Sequence, residues 1–252
     1  MAGTAPCTLL GKGRRNAHMS HMLKFGPILI AIIYGLVMFK FSAWKTAAEL
    51  DEKSTELADA DLKALTDRMA AALDLPRIRV HLYEIDPVNG LAAPDGRIFL
   101  TRGFYEKYRN GDVTDKEMAS VIAHELGHVA LGHARRRMID FSGQNALRTA
   151  LIMVLNRFLP GVGVLIANTV TTMLAARLSR SDEYEADAYA SALLVKSGIG
   201  TAPQKSLFRK LEKLTGARGA AVPAWLLSHP KTEDRIAAIE KLETRWQASA
   251  QT

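Results

Sequence analysis

The sequence predicts a mainly helical α+β protein with a small β-sheet, preceded by an apolar segment long enough to cross a bilayer. Three observations carry that prediction. Apolar residues recur at threes and fours over most of the chain beyond residue 46. Two short runs, Arg77–Ile85 (RIRVHLYEI) and Arg97–Thr101 (RIFLT), replace that rhythm with strand-forming residues. Residues 25–44 read FGPILIAIIYGLVMFKFSAW, in which Lys40 is the only charge.

The apolar segment comes first. About 20 residues span a bilayer core as a helix, and Lys40 lies near one end, where it can snorkel to the interface. The run is long for a signal peptide and its small-residue cleavage site is weak. Residues 25–44 are therefore expected to be an uncleaved transmembrane signal-anchor in contact with membrane lipid, and residues 1–24 a basic tail. The formal charge of +7 belongs to this end of the chain. Up to residue 50, Lys12, Arg14, Arg15, Lys24, Lys40 and Lys45 face a single acid, Glu49, whereas 27 basic and 25 acidic residues follow. So neutral a body argues against a nucleic-acid partner. The flanking charges favour the N-terminus inside, which puts the body in the periplasm of a bacterial inner membrane. An acid-free leader with arginines also suits a mitochondrial inner membrane. The one cysteine, Cys7, excludes an internal disulfide framework and a cysteine-rich zinc site.

The remainder, 46–252, reads as one domain. Leu50, Leu57, Leu62, Leu65, Met69 and Leu73 predict a helix from Ala47 to Leu75, closed by Pro76. The strands at 77–85 and 97–101 follow, with turn signals at Asn89-Gly90 and Pro94-Asp95-Gly96. Thr114-Asp115-Lys116-Glu117 is a capping box that starts a helix at Asp115, running to about Arg137. Residues 145–178 are apolar but interrupted at Asn156-Arg157 and Pro160-Gly161, so no uninterrupted piece has spanning length; core helices are expected, with dipping into the bilayer as the weaker alternative. Helices over 181–197, 204–214 and 231–246 complete the chain.

The chemistry is concentrated in VIAHELGHVALGH, residues 121–133. On a helix His124 and His128 lie about 40° apart, so one zinc ion can take a nitrogen from each. Glu125 is about 100° round from His124. That places it beside the metal's open position, where it can remove a proton from a bound water. Gly127 lets another element approach the helix closely. His133 is about 140° off the metal face and is expected to pack or hydrogen-bond near the helix end.

A third ligand must then come from elsewhere. Ser179-Arg180-Ser181-Asp182-Glu183-Tyr184-Glu185-Ala186-Asp187 offers Glu183 and Asp187, four residues apart on one helix face. A carboxylate that ligates zinc, with an acid one turn on receiving the N–H of a ligand histidine, is a common pairing. Asp182 and Glu185 read as a solvated acidic face.

HELGH, then SR..E.EAD, then Ser228-His229-Pro230 with Arg235, resembles the HtpX, Oma-type and CAAX-prenyl-protease family of membrane-associated zinc metallopeptidases, over roughly residues 50–245. The resemblance implies a zincin-like domain holding one Zn2+ through His124, His128 and Glu183, with Asp187 orienting a ligand histidine. It implies that His229 stabilises the oxyanion or helps the leaving group, and that Arg235 supports the site electrostatically. Residues 89–100 resemble the family's strand beside the cleft, which pairs with an extended substrate; its Asn-Ala-Phe-Ala reads Asn89-Gly90-Leu91-Ala92 here. The multi-span membrane portion of HtpX and the prenyl proteases has no counterpart, which points to the single-anchor relatives. The expected activity is metalloendopeptidase cleavage of misfolded or membrane-associated proteins. The competing expectation is a zinc-stabilised, chaperone-like module that binds unfolded segments without cutting; it has no need of Glu125 or His229.

Overall fold

The computed structural model describes residues 47–93, 95–158, 162–214 and 232–249, together with Ile33, Phe41, Trp44 and Lys45. Contacts divide the chain into two compact units, Met1–Glu52 and Lys53–Thr252. In the first, residues 47–52 are helical, and Ile33, Phe41 and Trp44 of the apolar segment are helical and exposed. The rest of that segment lies outside the described residues.

The second unit is mostly helical with a small mixed sheet. Its elements are β1 (Ser54–Glu56), α1 (Ala60–Ala72), β2 (Val80–Tyr83), β3 (Gly90–Ala92), β4 (Ile98–Thr101), α2 (Arg102–Arg109), α3 (Asp115–Ala130), α4 (His133–Phe158), α5 (Val162–Lys196), α6 (Ala202–Leu214) and α7 (Thr232–Ser249). The sheet order is β1-β2-β4-β3, with β2 and β4 parallel and the outer pairs antiparallel. β4 is fully buried. β3 is an edge, in register Gly90↔Leu100, Leu91↔Phe99 and Ala92↔Ile98; the Asn89-Gly90 turn signal thus opens a strand.

The single helix expected over 47–75 is two helical pieces separated by β1. Ser54-Thr55-Glu56 pairs with His81–Tyr83, and Asp59 then caps α1 by accepting from the Leu62 N–H at 3.0 Å. Asp59 also accepts from the hydroxyls of Tyr105 and Tyr108. Leucine spacing alone cannot register this break, because strand pairing to a distant segment outweighs local periodicity.

α3 is the axis of the core. Met118, Val121, Ile122 and Leu126 pack among Leu62, Leu65 and Met69 of α1, Ile98 and Leu100 of β4, Leu193 and Leu194 of α5, and Leu207 and Leu211 of α6. Each such side chain contributes roughly 1.5–3 kcal/mol relative to exposure. The capping box forms: Thr114 Oγ1 accepts from the Glu117 N–H, and the Glu117 carboxylate accepts from the Thr114 N–H at 2.8 Å. α3 ends at Ala130 rather than near Arg137. Gly132 takes a left-handed φ of +65°, its N–H bonds to Val129 O, and α4 departs at His133.

The 145–178 stretch is not core. α4 and α5 form an antiparallel hairpin: Arg136 meets Glu185, Arg148 bonds Asn168, and Gly163 lies against Asn156. Phe158 is 72% exposed, and Leu165 and Met173 are each 67% exposed. The end of the 145–178 stretch and the helix expected at 181–197 are one 35-residue helix, Val162–Lys196, long and apolar enough to cross a membrane by length and composition. The interruption expected at Asn156-Arg157 lies inside α4, whereas α4 ends at Phe158 and α5 begins at Val162, on either side of the one expected at Pro160-Gly161.

Candidate metal centre and cleft

Two helices build the site, α3 and the buried later half of α5. Gly127 of α3 faces Ala186 of α5 so closely that a Cβ there would stand 3.0 Å from the Ala186 Cα and carbonyl oxygen. This contact brings the residues before Gly127 against Glu183 and Asp187. His124 Nε2 lies 3.3 Å from Glu183 Oε2, His128 Nε2 lies 3.4 Å from Glu183 Oε1, and the two Nε2 atoms are 3.1 Å apart. The ligand edges of a tetrahedral zinc with bonds of about 2.0–2.1 Å are roughly 3.3 Å. The trio is the one group of this kind among the described residues.

The partners fix which nitrogens face inward. His124 Nδ1 is 2.9 Å from Asp187 Oδ1, and a carboxylate there accepts the Nδ1–H and leaves a lone pair on Nε2. Arg235 of α7 clamps Asp187 from the other side, Nε to Oδ2 at 2.6 Å and Nη2 to Oδ1 at 2.7 Å. Its guanidinium lies over the Phe208 ring, 4.2 Å from the centroid. Burial alone would raise the Asp187 carboxyl, but Arg235 and His124 hold it below the ordinary range. Burial would lower His124; hydrogen bonds to Asp187 and Glu183 outweigh it and push the imidazole up to about 9. The same acceptors that raise proton affinity at Nε2 also raise its basicity toward a cation.

His133 stands outside the trio but is tied to it. Its Nδ1 lies 2.8 Å from His128 Nδ1, and its Nε2 lies 3.4 Å from Glu185 Oε2. Burial depresses its pKa, although Asp182 opposes this. A neutral His133 that donates Nε2–H to Glu185 accepts the His128 Nδ1–H, so each histidine of the trio has its own partner. Spacing on α3 could not reveal this, because Gly132 turns the chain and returns His133 over His128. Asp182 is not solvated: it is 2% exposed and engaged by Arg136 and Arg137, which the hairpin lays across it. Arg137 Nη2 also reaches Glu183 Oε1 at 3.2 Å. Glu185 is the half-exposed member of the cluster, bonded to Arg136.

Glu125 is 4% exposed, yet its Oε1 finds no hydrogen-bond partner within the protein. An unpaired buried oxygen of this kind is costly. It lies beside the trio and the edge strand β3. A Cβ on Gly90 would meet Val121 Cγ1 at 2.8 Å and Glu125 Oε1 at 3.5 Å, so glycine permits strand and helix to close on the carboxylate. A cavity of about 360 Å³ runs between them, lined by residues 89–93, Glu125, His128, Arg135, Arg137 and Glu183. Asn89, Gly90, Leu91 and Ala92 thus form one wall and α3 the other. A donor set of two imidazoles and one carboxylate around an unpaired carboxylate fits zinc with an open position. Ser228, His229 and Pro230 lie outside the described residues.

The sequence profile of Peptidase family M48 matches residues 56–243. The chain is 29% identical to Metalloprotease LoiP of Escherichia coli (strain K12), over 76% of this chain and 75% of LoiP. It is 27% identical to a Protease HtpX homolog of Salinibacter ruber (strain DSM 13855 / M31), over 88% and 90% of the two chains. It is 24% identical to the Metalloendopeptidase OMA1, mitochondrial, of Homo sapiens, over 65% of this chain and 32% of OMA1. With three quarters of its length matched, and with two histidines and a glutamate converging beside a buried carboxylate, the chain belongs to peptidase family M48, as a metalloendopeptidase.

Proposed function

We propose that the chain is a zinc-dependent endopeptidase, anchored through residues 25–44, that cuts extended segments of misfolded or membrane-associated proteins. His124, His128 and Glu183 hold one Zn2+. The bound metal supplies an acidified water and polarises the scissile carbonyl. Glu125 Oε1 takes the proton and later returns it to the leaving amine. Asp187 holds the His124 tautomer, and Arg235 keeps Asp187 ionised. By the family resemblance, His229 donates to the developing oxyanion. The outer edge of β3, with Asn89, Gly90, Leu91 and Ala92, pairs with substrate backbone, so the cleft selects extended chain more than side-chain identity. Residues 46–252 form the peptidase domain and 1–24 a basic tail on the inner side of the membrane.

The observation that carries this reading is the unpaired Glu125 oxygen beside three convergent ligands. A binding module would leave that oxygen without a function to offset its burial. Glu125→Gln in the full chain should retain stoichiometric zinc by elemental analysis and lose cleavage of unfolded casein. Substantial cleavage by this variant would overturn the assignment of the base. Zinc retention by the wild type with no cleavage of any unfolded protein would favour the chaperone-like alternative.

A further inference from the structure

We propose that the α4–α5 hairpin is a second lipid-contacting surface, lying in the interface of an anionic bilayer. Leu147, Val154 and Phe158 of α4, and Leu165, Ile166 and Met173 of α5, are exposed at helical spacing. They form stripes left over after the two helices have packed on each other. So large an exposed apolar surface marks an interaction site.

Charge identifies the occupant. Residues 141–181 contain no acid and four arginines, Arg148, Arg157, Arg177 and Arg180, in a chain with 26 acids overall. A two-fold interface between copies would set this all-cationic surface against itself with no acid to compensate. An anionic leaflet accepts both features: acyl chains take the apolar stripes, and the arginines reach the headgroups. α5 is long and apolar enough to cross a bilayer by length and composition, but Arg148 lies ten residues from Phe158, about 15 Å along α4 by helical rise. A hairpin spanning a core of about 30 Å would hold that guanidinium near the midplane, where a charged side chain is costly. The hairpin therefore lies in one leaflet.

The placement has a consequence for the site. α5 is one helix from its exposed apolar half into the half that carries Glu183 and Asp187. Met173 and Glu183 are ten residues apart, about 15 Å along the axis. The hairpin thus holds the cleft close to the lipid surface, and the segments it reaches are membrane-proximal. This last step rests on the peptidase reading; the lipid contact does not.

The test uses the full chain with Glu125→Gln, which removes self-cleavage, and Cys7→Ser. Single cysteines replacing Phe158, Leu165 or Met173 carry an environment-sensitive fluorophore; Lys63→Cys on exposed α1 is the control. The protein is reconstituted in phosphatidylcholine–phosphatidylglycerol vesicles with and without doxyl-labelled lipid. The three hairpin probes should shift to the blue and be quenched roughly twofold or more by doxyl lipid, as an interfacial apolar face requires. The control should stay unquenched, and quenching should weaken in pure phosphatidylcholine. Water-like emission at all three positions would overturn the proposal. So would a blue shift without doxyl quenching that grows with protein density, which would assign the surface to a second copy.

Discussion

Arg235→Met gives the most direct test of how the site is held. The methionine keeps the stem against Phe208 but removes both charge-assisted bonds to Asp187, at 2.6 and 2.7 Å. Both partners are about 1% exposed, so no solvent replaces the guanidinium. Removing one member of such a pair costs about 3–5 kcal/mol. At about 2–4 °C per kcal/mol for a domain of this size, Tm should fall by about 10 °C. Zinc should be affected too: without the guanidinium fixing both its oxygens, Asp187 is no longer held on the His124 Nδ1–H, and loss of such a partner weakens metal affinity about 10–100-fold. The pH dependence has a definite sign. Asp187 is depressed in the folded state, so its stabilisation is present above the ordinary carboxylate value of about 3.9 and lost as pH falls through the lower folded value. The deficit of the variant should therefore be full near neutrality and shrink in acid. Adding Asp187→Asn removes the stranded charge, and the double variant should recover about half of the lost stability. The assays are thermal unfolding of the metal-free chain in micelles across pH, and zinc competition with a chromophoric chelator. If Arg235→Met changes neither Tm nor zinc affinity, the proposed Arg235–Asp187–His124 chain does not hold the ligand.

Other outcomes follow from the same geometry. His133→Phe, which cannot accept from His128 Nδ1, should weaken zinc about 10–100-fold in the same competition; unchanged affinity would remove His133 from the site. Gly90→Val drives a side chain into Val121 and toward Glu125, and a displacement of this order costs about 100-fold in kcat/KM. Zinc content should stay unchanged in that variant, and full activity would show that β3 is free to move away. Glu117→Gln loses the ion pair with Lys210, beside the hydroxyl of Ser206. Burial raises the Glu117 carboxyl, but Lys210, Ser206 and the Thr114 N–H hold it down, so the variant should be less stable by about 1–2 kcal/mol near neutrality. That difference should disappear as pH falls below the usual glutamate range, as urea titrations would register; a pH-independent deficit would contradict it. Chelation should abolish cleavage and zinc re-addition restore it, with the rate of an unrelated hydrolase in the same mixture unchanged.

Much of the site was legible because it is written in helical periodicity. His124, Glu125 and His128 fall within one and a half turns, and Glu183 and Asp187 within another, so spacing fixes each set on one face. Gly127 was readable as a close-approach position and meets Ala186. What spacing misread were the positions decided by a neighbour distant in sequence. Asp182 belongs to an acidic run that looks solvated, yet Arg136 and Arg137 cover it from the other arm of the hairpin. β1 lies inside a leucine pattern that reads as helix, and only pairing with β2 makes it a strand.

The sequence by itself determined the class of fold, the spacing of His124, Glu125 and His128 along one helix, and the presence of an apolar N-terminal segment. These depend on covalent order and a repeat of 3.6 residues, which any stretch carries locally. Tertiary structure decided the rest. It brings Glu183 within about 3.4 Å of the histidines, gives His128 its partner in His133, leaves Glu125 Oε1 unpaired against Gly90, and turns an expected core stretch into an exposed hairpin. All but the His128–His133 pair, which the Gly132 turn brings together, depend on segments far apart in the chain. Such contacts are set by how the helices pack against one another, and no local pattern encodes the packing partner.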